Sequence, residues 1–555
     1  MSFGPDLVIL NASVLTFDDA RPRAAALAVK DGRILEVGDE GAIRAMAGQG
    51  TEVIDAGGGT VLPGFIDSHV HLFGGSVELD YLDLSGVTGF DAVTAAVRAR
   101  AARDRSARLI FAVQADYGMF GRGHRTTRHD LDRVLPDRPF AMFASDHHTI
   151  WANTAALELA GILGGGATEP GSEIVMGPDG RAEGELREPG AYARVLALTP
   201  YGGRDLAGLV TGRNPEPPAS AAERARDLDA LRRGLRHCAS HGITGLHNMD
   251  GNFYTMELLA ELDAAGDLIC RTEVPFHYKS VDSLERFEDA EEMRRRWAGD
   301  RLWCHRVKMF MDGVIESRTA LMIQPYPGSD HTGDAVFTPD HFDAACVEAD
   351  RRGFQIATHA IGDLAVRRTL DGYGAARAAN GARDARHRIE HIETLHPDDL
   401  PRFAELGVVA SYQPGHAPFG HIYPAEAIAP HLHDAQKPLA YGWQSLRAAG
   451  TLVVFSTDWP VIRVDTMSTL RAACAPVALP APWGDQRQGL MDALASMTRD
   501  NAWVEFNEHR KGRLAPGFMA DIVVMKDDVE RMEPDRFETT GAAVTISGGR
   551  ITYRA

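Results

Sequence analysis

The amino-acid sequence predicts an α/β fold, a (β/α)8 TIM barrel that carries a small β-sandwich and a large insertion. Short apolar runs alternate with amphipathic helical stretches, a pattern typical of a parallel sheet with crossover helices. Eight runs end in polar or chemically useful residues, and eight parallel strands joined by helices close naturally into a barrel. The predicted strands are 61–69, 243–248, 270–276, 303–310, 354–359, 386–391, 408–414 and 452–458.

Two parts of the chain fall outside this strand count. Residues 1–60 and 510–555 contain short alternating strands with glycine turns, and we expect them to pair as a β-sandwich built from both termini. The barrel then occupies residues 61–509. Within it, the long gap 75–225 leaves the C-terminal end of the first strand, where the active site of such a barrel lies. We therefore expect an inserted subdomain that covers the substrate.

Composition narrows the range of partners. Of the 555 residues, 44% are hydrophobic and 24% are charged, as in ordinary globular proteins. The net charge of −19 argues against nucleic acid and anionic membranes, because both bind basic surfaces. We read no signal peptide, and no apolar run approaches the roughly 20 residues that span a bilayer. Five scattered cysteines favour the cytoplasm. The expected partners are a small-molecule substrate and a second copy of the chain in a homodimer.

The first predicted strand ends in a pair of histidines. His69 and His71 lie at positions i and i+2, so on a strand they point the same way, about 7 Å apart along the chain. Neutral imidazole nitrogens at one strand end form half of a transition-metal site. Because the chain has 22 histidines, such a pair by itself is weak evidence for a metal site. Its position after the PGFID motif makes the evidence stronger.

Four further residues follow later strands and complete a candidate metal centre. Lys308 lies in the fourth run, where it is either an ordinary surface or ion-paired lysine or a carbamate formed with CO2 that bridges two cations. His359 and His391 end the fifth and sixth runs, and each alone is more typical of a core histidine. Asp458 follows the eighth run, as a turn residue or as a metal ligand that also takes a proton from bound water.

These residues fall in motifs that resemble the metal-dependent amidohydrolase superfamily along essentially the whole chain. The closer resemblance is to amidohydrolase family 3, the branch that includes N-substituted formamide deformylase. The motifs are PGFIDSHVH (63–71), DHHTIWANTAAL (146–157), VKMFMDGVIESRTA (307–320), THAIGD (358–363), RIEHIE (388–393), SYQPGH (411–416) and STDWPV (456–461), with GRLAPGFMADIVVM as the return strand to the sandwich.

The resemblance implies a binuclear centre, with zinc as the expected ion and other divalent metals left open. His69 and His71 would bind the more buried ion with Asp458, His359 and His391 would bind the second, and carboxylated Lys308 would bridge the two. A metal-bound hydroxide would attack the carbonyl, and Asp458 would accept its proton and pass it to the leaving nitrogen. The rival is a mononuclear site of His69, His71, His359 and Asp458, with His391 as an acid or base.

One departure from the family pattern puts the substrate class in doubt. His147 stands where relatives more often have glycine, which adds an imidazole near the expected substrate site. Glu188, in the insertion, is a weaker candidate. The candidate substrate contacts, each of which simple loop packing would explain equally well, are His148, Trp151, Arg318, Gln413 and His416.

Three functions fit these observations. The first is a hydrolase that cleaves a non-peptide C–N bond of a small amide, N-formyl or N-acyl compound. The second keeps the same site for a lactone, ester or carbamate, or for non-hydrolytic chemistry, since the fold is common to all of these. The third is a metal-free scaffold or regulatory protein that has lost catalysis, against which the complete ligand set argues.

Overall fold

A computed structural model describes residues 4–121, 123–168, 172–423 and 425–555. The chain divides into two compact units, one formed by residues 1–71 with 235–555 and the other by residues 72–234. Both contain sheets and helices, so the predicted α/β class is confirmed. We call them the first unit and the second unit.

In the first unit, the eight predicted runs pair in chain order as parallel neighbours in two sheets. The third and fourth runs each contain two short strands, one in each sheet, and Pro275, which lacks a backbone N–H, interrupts the third run. The four-stranded sheet has the order Leu302–Trp303, Arg271–Glu273, Ile243–Asn248, Phe65–Val70. The six-stranded sheet has the order Phe276–His277, Arg306–Phe310, Gln355–Ala360, Arg388–His391, Val409–Tyr412, Val453–Phe455.

The first and last of these strands meet near their C-terminal ends. The Asp458 backbone N–H donates to the His69 carbonyl at 2.8 Å, and Val70 forms a parallel bridge with Trp459. No longer ladder joins the two strands within the described ranges. These contacts bring the first and eighth predicted strand ends together, with the histidine pair beside Asp458.

Close approach between neighbouring elements depends on glycine at two positions. A side chain at Gly64, in the PGFID motif, would come within 2.3 Å of Thr244 on the adjacent run. A side chain at Gly372 would lie 2.5 Å from Phe342, in the contact between the helices Pro339–Arg351 and Asp363–Asn380. Any other residue at either position forces the packed neighbour to move.

Helices connect the parallel strands and bury one face. In Pro339–Arg351, which has proline at its first turn, Phe342, Ala345, Cys346 and Ala349 are buried at the spacing of a single helical face. The other helices of the first unit are Glu40–Met46, Phe253–Ala264, Phe287–Arg296, Asp363–Asn380, Leu400–Leu406, Ala425–Ile428, Trp443–Ala448, Thr466–Cys474, Leu490–Ser496 and Arg499–Val504. The helix Ala221–Ser240 contains the boundary between the units.

Strands from both termini form two further sheets in the first unit, and one hydrophobic cluster contains side chains of both. The strand Thr60–Pro63 runs antiparallel to Ile522–Met525 and so joins the two ends of the chain. One sheet has the order Arg33–Gly38, Ala26–Lys30, Leu7–Leu10, Glu52–Asp55, and the other Arg550–Arg554, Ala542–Ser547, Ile522–Met525, Thr60–Pro63, Ser13–Leu15, Arg23–Ala24.

The second unit is a six-stranded mixed sheet buried on both faces. Phe111 and Phe143 belong to one hydrophobic cluster, and the alternate residues Ala112 and Met142 belong to another. The strand order is Glu173–Met176, Ala182–Arg187, Thr149–Ala152, Phe140–Ala144, Ile110–Ala115, Leu82–Asp83. Its helices are Leu72–Glu78, Phe90–Arg103, Arg128–Val134, Thr154–Leu159, Pro189–Leu196 and Ala207–Val210.

Across the described ranges, every helix is too short or too polar to cross a bilayer. The five cysteines are all buried and unpaired.

Candidate metal centre

The six predicted metal ligands lie within or shortly after parallel strands of the first unit. His69 and His71 end the first run, Lys308 lies in Arg306–Phe310, and His359 lies in Gln355–Ala360. His391 is the last residue of its strand, and Asp458 follows Val453–Phe455 by three residues. Five of the six are at most 6% exposed, and the His71 side chain is 12% exposed.

Asp458 lies at the centre of two groups that can hold a metal ion. Its Oδ1 is 3.5 Å from His69 Nε2 and 3.2 Å from His71 Nε2. Its Oδ2 is 3.6 Å from Nε2 of His416, which forms the second group with His391 and Asp458. In each group the ligand atoms lie within 4.8 Å of one another, the spacing of side chains that can hold a metal ion.

His359 completes a ring of imidazoles around these groups. Its ring centre is 4.6 Å from that of His391, which is in turn 4.8 Å from that of His69. The backbone contributes to this arrangement, because His391 and Asp458 have left-handed φ angles of 75° and 63°. Such non-glycine conformations are costly and concentrate at functional sites.

Lys308 is fully buried, and its ammonium nitrogen makes no hydrogen bond or ion pair with any described residue. Burial lowers the pKa of this lysine to about 8, although Glu390 and Asp458 act in the opposite direction. The neutral amine, which is the form that reacts with CO2, is therefore more populated near neutral pH than in an ordinary lysine.

Three of the histidines have one ring nitrogen engaged by an acceptor. His69 Nδ1 lies 2.8 Å from Glu390 Oε2, His391 Nδ1 lies 2.7 Å from Gln413 Oε1, and His359 Nε2 lies 3.1 Å from the Gly313 carbonyl. An acceptor on one ring nitrogen places the proton there and leaves a lone pair on the other. The free lone pairs are thus on Nε2 of His69 and His391 and on Nδ1 of His359.

Burial also keeps these imidazoles neutral. It lowers the pKa of His69 to about 4 and that of His359 to about 3, so both are unprotonated at neutral pH. Burial acts in the same direction on His71, but Asp250 and Asp458 outweigh it and raise the pKa of His71 to about 9. Asp458 remains ionised, because His69 and His71 hold its pKa well below the usual value against the effect of burial.

The predicted substrate contacts of the first unit differ in their burial and in their hydrogen-bond partners. His416 is 11% exposed, its Nδ1 is 3.6 Å from Glu393 Oε1, and its ring is parallel to that of His391 at 5.8 Å. Gln413 is buried, and its amide also donates to the Ser456 hydroxyl at 2.9 Å. Arg318 is exposed and donates to His431 at 3.3 Å. His416 is therefore a candidate ligand as well as a candidate substrate contact.

The candidate contacts of the second unit form a separate group. His148 Nδ1 lies 3.0 Å from Glu188 Oε1, and both side chains are 27% exposed. Trp151 is 2% exposed and packs edge-on against Tyr117, with ring centres 4.9 Å apart. His147, which ion-pairs with Glu78, has a left-handed φ of 62°, a conformation that favours glycine.

Sequence reasoning missed several carboxylates around the centre, of which Glu390 contacts a predicted ligand directly. It lies next to His391 on the same strand, where alternation would send the two side chains to opposite faces. The left-handed φ of His391 ends that alternation, so both side chains lie near His69. The sequence signal for this contact is the RIEH motif, in which Arg388 and Glu390 form a buried charged pair next to the predicted ligand His391.

Comparisons with known proteins identify the family of this chain. The model of the amidohydrolase family matches residues 52–553. The chain belongs to that family. The predicted resemblance is confirmed, and so is the prediction that the chain is an enzyme, a metal-dependent amidohydrolase.

Two relatives and two solved structures illustrate the similarity of this amidohydrolase. It is 28% identical to protein LONG AFTER FAR-RED 3 of Arabidopsis thaliana over 99% of this chain and 91% of the relative. It is 26% identical to N-substituted formamide deformylase of Arthrobacter pascens over 94% of each chain. An uncharacterized metal-dependent hydrolase from Pyrococcus furiosus superposes with a TM-score of 0.69 and 26% identity, over 93% of this chain and 98% of that one. Atrazine chlorohydrolase TrzN from Arthrobacter aurescens, complexed with zinc, shares the fold at 16% identity, with a TM-score of 0.51 over 99% of this chain and 95% of that one.

Proposed function

We propose that this amidohydrolase cleaves a non-peptide C–N bond of a small amide, N-formyl or N-acyl compound at a divalent metal centre. The observation that carries the proposal is Asp458, whose two oxygens face two groups of histidines at one set of strand ends. The relative named N-substituted formamide deformylase, similar over nearly its whole length, supports a substrate of this class.

The residues present fit a metal centre. Within the described ranges, the buried atoms Lys308 Nζ, Asp458 Oδ1 and His71 Nδ1 have no hydrogen-bond partner, which is costly unless a further group satisfies them. Nitrogen and oxygen donors of this kind suit zinc. In the proposed binuclear form, His69, His71 and Asp458 would hold one ion, His359 and His391 would hold the other, and carboxylated Lys308 would be shared by the two. When bound, divalent ions polarise a carbonyl and lower the pKa of water.

The protein's own groups position the substrate and move a proton. Asp458 Oδ1 faces His69 and His71, and Oδ2 faces His416. Oδ2 would accept a proton from the attacking water and deliver it to the leaving nitrogen. The low pKa of Asp458 keeps this carboxylate ionised at the start of the cycle. His416 Nε2, 3.6 Å from Oδ2, is placed to contact the substrate beside that proton.

A mononuclear centre is the second candidate arrangement. The compact group His69, His71 and Asp458 favours it, because these three residues already bring ligand atoms within 4.8 Å of one another. His359 would supply the fourth ligand, and His391 would act as an acid or base. Metal content per chain distinguishes the two forms.

We also propose that the eight parallel runs close into a barrel, supported by the contacts between Val70 and Trp459 and between Asp458 and His69. The shared core of the two terminal sheets supports the proposed sandwich of residues 1–60 and 510–555. We propose further that residues 75–225 cover the substrate, that the chain forms a homodimer and that the protein is cytoplasmic.

Metal analysis combined with a substrate screen tests the proposed function. The zinc-loaded enzyme is assayed with N-formyl, N-acyl, carbamate and lactone compounds, with Asp458→Asn as the inactive control. We expect turnover of an N-formyl or N-acyl compound that requires bound metal. Turnover of lactones, esters or carbamates alone would replace the C–N assignment, and a purified chain that binds no metal would overturn the proposal.

A further inference from the structure

We infer that Glu390 is a positioning residue, which fixes the tautomer and the ring orientation of His69 for metal binding. Glu390 Oε2 lies 2.8 Å from His69 Nδ1, and the two side chains are 0% and 1% exposed. The inference rests on the metal centre proposed above. Glu390 would act through His69, without itself touching the substrate or the expected ion.

Arg388 holds the Glu390 carboxylate in place. Its guanidinium donates to Glu390 Oε1 at 2.5 Å and to Oε2 at 2.8 Å, and also to the Ser68 carbonyl at 3.0 Å and the Ser411 hydroxyl at 2.6 Å. Arg388 and Glu390 are both fully buried and lie two residues apart on one strand, so their side chains share a face. A bidentate pair of this kind restricts the carboxylate to one orientation.

The fixed carboxylate determines which nitrogen of His69 carries the proton. A carboxylate accepts hydrogen bonds and cannot donate one, so Nδ1 must carry the hydrogen. The lone pair is then on Nε2, the atom that lies 3.5 Å from Asp458 Oδ1. A carboxylate behind a ligating histidine also makes the ring a stronger donor to the metal.

His69 differs in this respect from the other candidate histidine ligands. The acceptor behind His391 is the neutral amide of Gln413, and the acceptor behind His359 is the neutral Gly313 carbonyl. Asp250 lies 3.6 Å from His71 Nδ1, beyond hydrogen-bond distance. The charged acceptor is thus the hydrogen-bond partner of His69, which is more buried than His71. At this buried position, the wrong tautomer would leave two polar groups without hydrogen-bond partners.

Glu273 provides a matched control. It is another buried glutamate of the parallel strands, 1% exposed, and its Oε2 lies 2.7 Å from Arg306 Nη2. Its carboxylate contacts no candidate metal ligand through any described hydrogen bond or ion pair. Substituting Glu273 removes a buried charge from an arginine pair, as substituting Glu390 does, but leaves His69 unchanged.

The experiment compares Glu390→Gln and Glu390→Met with Glu273→Gln and Glu273→Met. Zinc affinity is measured by competition with a chromophoric chelator, and the ligand geometry by the visible spectrum of the cobalt-substituted protein. We expect Glu390→Met to weaken zinc binding by about 10–100-fold and to alter the cobalt spectrum. Glu390→Gln keeps an acceptor and should lose less. The Glu273 variants should keep wild-type zinc affinity and spectrum, whatever their thermal stability.

A measurement on the wild-type protein covers the case in which a variant fails to fold. In the metal-free protein with 15N-labelled histidine, the ring-nitrogen shifts of His69 should show the proton on Nδ1. A proton on Nε2, or Glu390 variants that bind zinc like wild type, would overturn this inference but leave the metal centre standing. A wild-type protein that binds no metal would instead refute the proposed function.

Discussion

Two histidines of this protein pair with a glutamate through Nδ1 at nearly the same distance, yet in opposite surroundings. His69 meets Glu390 at 2.8 Å in the first unit, where both side chains are at most 1% exposed. His148 meets Glu188 at 3.0 Å in the second unit, where both are 27% exposed. Solvent weakens the pair of His148 and Glu188. The pair of His69 and Glu390 lies in a low-dielectric interior, where a hydrogen bond is strong and a polar group without a partner is costly. The comparison predicts that burial, more than distance, distinguishes a fixed metal ligand from an adaptable substrate contact.

The largest effect is expected from Lys308→Ala, which tests the buried candidate metal centre of the first unit. It should remove much of the bound metal and nearly all activity, because the bridging carbamate can no longer form. Short carboxylic acids should restore part of the activity by replacing the bridge. Lys511→Ala is the matched control, since Lys511 is also buried but ion-paired with Glu505 at 2.7 Å. A fully active Lys308→Ala enzyme with one metal per chain would establish the mononuclear form.

Asp458→Asn should lower kcat by about 10²–10⁴-fold while the fold and most of the metal remain. The amide still offers an oxygen to an ion but takes no proton at neutral pH. Steady-state kinetics together with metal analysis and circular dichroism check this expectation. Near-normal turnover with full metal loading would show that another group accepts the proton.

In the second unit, Trp151→Ala should act mainly on stability. Trp151 is 2% exposed within a hydrophobic cluster, and truncating such a side chain costs about 3–5 kcal/mol of unfolding free energy. Denaturant unfolding measures the loss, and metal content should stay at the wild-type level. If the metal is lost as fully as in His69→Ala, the assignment of Trp151 outside the metal centre is wrong.

His147→Gly tests substrate preference. Glycine suits the left-handed φ of 62° at this position, which offsets part of the stability lost with the Glu78 contact. Relative kcat/KM values for small and bulky N-acyl compounds should change, because the imidazole lies in the segment expected to cover the substrate. An unchanged ranking of substrates would remove His147 from the substrate site.

The smallest effect is expected from Glu188→Gln, which removes the exposed pair with His148. The unfolding free energy should change by less than about 1 kcal/mol, as is typical of solvated ion pairs. A loss as large as that of a buried pair would show that this pair is shielded from solvent in the whole enzyme, and the comparison with His69 would then need revision.

Much of the fold and of the candidate ligand set follows from local patterns. The eight runs appear in the structure as parallel neighbours in the predicted order, although Pro275 divides the third and the ends shift by a few residues. The predicted ligands lie together because parallel strands present their C-terminal ends at one edge. Such patterns span only a few residues, so the sequence displays them directly.

The remaining features depend on contacts between distant parts of the chain. Glu390 and His69 are 321 positions apart, and only the pairing of successive strands brings them within 2.8 Å. The place of His416 beside Asp458, the unpartnered amine of Lys308 and the left-handed φ of His391 have no local signature either. By itself, the sequence determined the strand ends and the residue types placed there, because periodicity and strand length are local. The tertiary structure decided which ring nitrogen of His69, His359 and His391 keeps its lone pair, because the acceptor of the other nitrogen comes from elsewhere in the chain.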